Sequence, residues 1–126
     1  MASHIVSIPL PAAADDCFVL RAPESAEGGA ITIRGAEVVN HATTSSTVRV
    51  TVALHAYSNA GTPAVNGTVA AAQGGTADHW ADNIPKELTL TDTQLEAGEY
   101  LVLSVAAQGG GAPTRGYLML RYEDGK

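Results

Sequence analysis

The residues best equipped for chemistry sit in one short run, Asp78-His79-Trp80-Ala81-Asp82-Asn83. Carboxylates beside an imidazole could ligate a metal, and an exposed Trp80 could stack on a sugar ring. A metal site needs three or four ligands held in place by surrounding hydrogen bonds, and the other histidines lie far off in sequence. The expectation is solvated Asp78, His79 and Asp82, with Trp80 plugging one end of the fold, and no metal. His41 and His55 read as surface residues, at a strand end and on a strand's polar face. Cys17 is the one cysteine, so no intramolecular disulfide can form. Asp15 and Asp16 beside it disfavour a thiolate, so Cys17 is expected to be structural and buried.

Nucleophilic chemistry fares no better. There is no Gly-x-Ser-x-Gly elbow and no Cys–His arrangement. Gly109-Gly110-Gly111 lacks the Gly-Lys-Ser/Thr ending and the following helix of a phosphate loop, so it reads as a hairpin loop. Asn66-Gly67-Thr68 matches a glycosylation sequon, a three-residue pattern frequent by chance. The carboxylate pairs Asp15/Asp16 and Glu123/Asp124 are sequence neighbours, and on a strand neighbours face opposite ways. The expectation is a protein that is not an enzyme and holds no cofactor.

Charge narrows the partners. Thirteen acidic against seven basic residues give a formal charge of −6. The basic residues are scattered singly (Arg21, Arg34, Arg49, Lys86, Arg115, Arg121, Lys126), without the basic stripe that marks phosphate binding. Nucleic acid is not an expected partner. No apolar stretch approaches the roughly 20 residues that span a bilayer, and Pro9, Pro11, Asp15 and Asp16 interrupt the N-terminal region where an export signal would lie. The expectation is a soluble, unexported chain with no membrane partner.

The elements that must position these residues are strands. At 126 residues the chain fits one domain of the commonest size, residues 1–126, with 1–23 as an N-terminal arm or edge strand. Its apolar share of 45% is mostly small side chains, with one Phe and one Trp, as suits two closely spaced sheets. His4–Leu10 alternates weakly through Ile5, Ser7 and Leu10 and is stopped by Pro9 and Pro11, as an edge strand would be. Cys17–Ala22 is a short apolar run, and Glu24–Gly29 is a turn. Ala30–Asn40 reads as one strand bulged at Gly35, because Ile31 and Ile33 change phase to Ala36 and Val38 across that glycine. Thr47–Tyr57 is the clearest strand, and Gly67–Ala72 is a thin one of small residues. Leu88 and Leu90 mark another, and Thr91–Gly98 is expected to make one helical turn before the strand Glu99–Ala107.

In the last strand, Gly116–Tyr122, Tyr117, Met119 and Arg121 share one face while Leu118, Leu120 and Tyr122 share the other. The count is roughly seven or eight short strands at near-regular spacing, an all-β antiparallel sandwich of jelly-roll or immunoglobulin-like type. The expected core is Val48, Val50, Val52, Leu54, Leu101, Leu103 and Val105. Because both faces of Gly116–Tyr122 are apolar, one must meet a neighbour. The residues expected to contact another protomer or a partner are Tyr117, Met119, Leu118 and Leu120, with Trp80.

The segments "IPLPAAADDCFVLRAP" (Ile8–Pro23), "GAITIRGAEVVN" (Gly29–Asn40), "NGTVAAAQGG…HWADNIPKELTLT" and "LEAGEYLVLSVAAQGGGAPTRGYLMLRY" together resemble the capsid decoration, or cement, proteins of tailed bacteriophages. The resemblance spans nearly the whole chain and departs from the family by a longer insertion at Ser58–Pro63 and a charged end, Glu123–Lys126. It implies a structural virion protein made in the host cytoplasm and carried on the outer capsid surface. There it would act as a homotrimer whose partner is the major capsid protein. The rival expectation is a carbohydrate- or receptor-binding module of a head fibre or tail, using Trp80 and Tyr57. A third, an accessory domain of an enzyme, has no motif to support it.

Overall fold

Alternation becomes strand wherever one face can be buried. A computed structural model of the chain describes residues 3–10, 15–40, 49–58, 65–74, 85–108 and 116–125. These contain nine strands: β1 (Ser3–Pro9), β2 (Asp15–Arg21), β3 (Ile31–Asn40), β4 (Arg49–Tyr57), β5 (Val65–Gly74), β6 (Lys86–Glu87), β7 (Gln94–Leu95), β8 (Tyr100–Gln108) and β9 (Gly116–Asp124). A single 3-10 turn, Ser25–Glu27, is the helical element among the described residues.

The first sheet runs β1-β9-β3-β6, with β7 also on β3, and the second runs β2-β8-β4-β5. All pairings are antiparallel. Setting the two-residue β7 aside, β1 to β4 alternate between the sheets, and the later strands return between them. This interleaving is the double Greek key of a jelly roll. It differs from the immunoglobulin arrangement, in which the first two strands share a sheet. The chain is an all-β antiparallel sandwich, and of the two expected types its strand order is the jelly roll.

The core lies between the sheets. Ile33, Val38, Leu118 and Leu120 enter from the first, and Val52, Leu54, Val69, Leu101 and Leu103 from the second, all essentially without solvent contact. Val105 is buried beside them. Of the expected core, Val48 and the side chain of Val50 lie outside the described residues. The phase change in β3 is present, since Ile31, Ile33, Ala36 and Val38 are all buried and the β3–β9 register slips between Ile33 and Gly35.

Two local expectations are corrected. Residues 91–98 do not make a helical turn. Leu95 is fully buried and pairs with Ile31 as part of β7. The chain then turns through Gly98 at φ 81°, a left-handed conformation that suits glycine. In that turn the Glu99 amide donates to the Glu96 carbonyl at 3.0 Å. Burial of Leu95 against the sheet outweighs the local preference. The strand expected at Leu88–Leu90 lies instead at Lys86–Glu87, after which the Leu88 amide reaches the Ala36 carbonyl at 2.8 Å. Cys17 is partly buried against the core.

Candidate interaction face

The backbone of β1 sets what its side chains can do. The Leu10 amide donates to the Gly116 carbonyl at 2.9 Å, continuing the register in which Pro9 opposes Tyr117. Bonded and non-bonded pairs alternate in an antiparallel ladder. His4, Val6 and Ile8 therefore turn their amides and carbonyls toward β9, while Ser3, Ile5, Ser7 and Pro9 turn theirs to the open edge. Pro9 stands where its missing N–H removes nothing from the ladder. The same alternation sends Val6 and Ile8 inward and Ile5 outward.

On the outer side of the first sheet, Pro9 opposes Tyr117, which opposes Val39. In the next row Ser7 opposes Met119, which opposes Glu37, and then Ile5 opposes Arg121. Ile5 is 67% exposed, Tyr117 57% and Met119 41%. Ile5 lies one row diagonally from Met119, within reach of a long side chain. These residues form one apolar strip at the Tyr117 end of the face.

The other end is ionic. Arg34 donates to Glu123 through Nε at 3.0 Å and Nη2 at 2.9 Å, and Arg121 Nη2 reaches Glu87 at 3.1 Å. Arg121 crosses β3 at Gly35, where a Cβ would stand 2.2 Å from its Nη2. The missing side chain gives the guanidinium its path. On the inner side of the same strand ends, the His4 ring stacks on Tyr122 at 4.9 Å, with Nε2 3.2 Å from Asp124. Ser3, His4, Ile5, Arg34, Arg121, Tyr122 and Glu123 line an open cleft of about 300 Å³. Both guanidiniums there already hold carboxylates, so among the described residues the cleft has no uncommitted arginine with which to capture an anion.

Of the residues expected to make contacts, Tyr117 and Met119 face solvent. Leu118 and Leu120 do not, since both are fully buried between the sheets. They oppose Val38 and Ala36 in register, whose buried side chains share their face. Trp80, with Asp78, His79, Asp82 and Asn83, lies outside the described residues, as does His41. His55 is half-buried on the outer face of the second sheet, with Nδ1 3.5 Å from Thr68 Oγ1. Among the described residues, no three His, Cys, Asp or Glu side chains are placed to hold a metal.

Sequence reasoning missed an aromatic row on the opposite side of the molecule. Phe18, Tyr100 and Tyr57 come from β2, β8 and β4, with ring centroids 6.0 and 5.6 Å apart and interplanar angles of 36° and 28°. The sequence held one signal for it. Tyr57 and Tyr100 end one strand and begin another, which brings them opposite each other once β4 and β8 pair. Phe18 sits in an unbroken apolar run that gave no alternation to read.

No family model and no curated protein matches the chain. Among solved structures, it is similar to the structure of infectious bursal disease virus, Gx strain, at TM-score 0.44 and 13% identity, covering 98% of this chain and 33% of that one. It is also similar to the VP2 subviral particle of infectious bursal disease virus, at TM-score 0.30 and 13% identity, covering 99% and 35%. The chain thus spans about a third of the length of the capsid chains it matches. A likeness this distant transfers no role.

Proposed function

We propose that this chain is a structural virion protein of the capsid decoration type, carried on the outside of an icosahedral phage head. In this reading it is made in the host cytoplasm, has no catalytic step, and stabilises the shell by bridging subunits of the major capsid protein. One observation carries the reading: Ile5, Met119 and Tyr117 stand in solvent as one strip on the outer side of the first sheet. Exposed apolar patches rimmed by polar groups mark contact surfaces. The family resemblance in sequence supports it, and jelly rolls recur in viral capsid and lectin domains, an argument by analogy of fold.

The strip serves the contact between protomers of a homotrimer, where a closed ring covers it in every copy. Burying a large apolar side chain contributes about 1.5–3 kcal/mol. Binding the assembled shell and not its separate subunits stabilises the shell by mass action, and three linked protomers add avidity.

The sugar-binding reading requires ring faces open to solvent. At 5.6 Å and 28°, Tyr57 and Tyr100 are too close to lie side by side in one plane. They turn their faces on each other in offset stacking, which argues against a sugar platform built on Tyr57.

Light scattering at micromolar protein should give three times the chain mass, or a multiple of that where trimers associate further, and the purified protein should rebind heads stripped of it. Met119→Asp should dissociate the trimer and abolish rebinding. A wild-type monomer that ignores heads yet is retained on a glycan array would overturn the reading.

A further inference from the structure

The four sheet edges are not alike. At the β2 edge stand Asp15, Asp16 and Arg21, and the β2–β8 register slips between Phe18 and Leu20. The β5 edge is broken by three register shifts against β4. The far edge of the first sheet is two strands of two residues each, β6 and β7. Charges, bulges and short strands are how proteins defend an edge from pairing with another chain. β1 has none of these defences. Its seven residues, Ser-His-Ile-Val-Ser-Ile-Pro, hold no Asp, Glu, Lys or Arg, and its register to β9 runs without a slip. Only Pro9 interrupts it, and at the end.

We propose that β1 pairs antiparallel with β1 of a second copy of this chain, across a two-fold axis through Val6. The groups at the open edge, bonded by no described residue, are the amides of Ser3, Ile5 and Ser7 and the carbonyls of Ser3, Ile5, Ser7 and Pro9. With Val6 opposite Val6 of the copy, Ile5 falls opposite Ser7 and the pair exchanges both bonds, twice over by symmetry. Ser3 falls opposite Pro9, so the missing proline donor costs a bond only at the two ends.

The chemistry favours a copy as the occupant. Two chains of formal charge −6 meet along a strand where no like charges are opposed. Val6 and Ile8 are only partly buried, although Leu120 and Leu118 opposite them are fully buried. The added strand covers that inner row, placing Val6 on Val6 and Ile8 on His4, while outside it sets the exposed Ile5 diagonally to its own copy. A two-fold contact cannot close a ring of three. The pairing is therefore separate from the trimer proposed above, and joins protomers of neighbouring assemblies.

The register makes the test specific. Val6–Val6 is a non-bonded pair with Cα atoms about 4.5 Å apart, inside the range a disulfide spans. In a Cys17→Ser background, Val6→Cys treated with diamide should give a band of twice the chain mass on a non-reducing denaturing gel. His4→Cys and Ile8→Cys should each stay unlinked alone and link when mixed. Adding Ser7→Pro, which removes an edge donor and no bond to β9, should reduce Val6→Cys linking at least tenfold without shifting the thermal midpoint by more than a few degrees. The denaturing gel counts linked pairs whether or not trimers form, so failure of the trimer reading leaves the test intact. Val6→Cys linking no better than His4→Cys alone, or linking unaffected by Ser7→Pro, would overturn the proposal.

Discussion

The two outer faces of this sandwich solve the same problem differently. On the second sheet the large side chains cover one another: Phe18, Tyr100 and Tyr57 form a row across three strands, and Val102, between Phe18 and His55 in register, is buried on an outward position. On the first sheet Ile5, Met119 and Tyr117 form a strip beside Ser7 and Pro9, and nothing among the described residues covers it. The second face pairs its rings with one another, although Phe18 at the end of the row stays 60% exposed, while the first leaves Ile5, Tyr117 and Met119 without such partners. Apolar content alone therefore does not mark a binding surface. What matters is how much of that content the chain itself covers.

The sharpest way to break this contrast is inside β9, where successive residues belong to opposite sides. Leu120→Ala should lower stability by about 2–5 kcal/mol through loss of transfer energy and the cavity left behind, measured as a fall in the urea midpoint at unchanged slope. Next in size is the self-covering face. Tyr100→Ala removes two ring contacts worth about 0.5–1.5 kcal/mol each beyond their area, so a loss of about 1–3 kcal/mol is expected. Phe18→Ala, at the exposed end of the row, should cost less than half of that. An equal loss from both would mean that the row does not act as a unit.

On the open face the expectation reverses. Met119→Ala and Tyr117→Ala should change monomer stability by about 1 kcal/mol or less while weakening self-association measurably by sedimentation. A stability loss as large as that of Leu120→Ala would show that the strip is covered from within. The smallest effect belongs to Gly35→Ala. Its Cβ displaces the end of a flexible, half-exposed Arg121, so the cost is loss of a surface ion pair, about 0.2–1 kcal/mol. The same cost should follow from Glu87→Gln, and the double variant should add little further.

How much of this the sequence disclosed depends on whether a pattern was local. The bulge at Gly35 was legible because the apolar phase flips within eight residues, and the inward set of β8 was legible because Leu101, Leu103 and Val105 alternate without competition. In β9 alternation was equally clear but its direction was not, since Leu118 and Leu120 compete with Tyr117 and Met119 for the core. That choice is settled by β3, about eighty residues upstream in the chain. The same holds for jelly roll against immunoglobulin order, which is a matter of long-range pairing and leaves no trace within any one strand. Ile5 is a candidate contact only once the backbone phase of β1 is known. The helical turn expected over Thr91–Gly98 gives way because Leu95 is held by Ile31, a partner that no local window contains.

The position of β9 also bears on how the chain comes to be folded. It is the last strand in sequence, yet it lies between the first strand and the third. During synthesis, when N-terminal segments emerge first, β1 lacks its partner β9 until residues 116–124 leave the ribosome. Pairing Ser3 with Glu123 then closes a loop of about 120 residues at once, the kind of non-local step that makes sheet proteins slow to fold. A nascent chain stalled before Gly116 would hold an uncharged strand without its β9 partner, available to any other β1 nearby, so slow translation just ahead of β9 is the condition under which this protein should be most prone to aggregate.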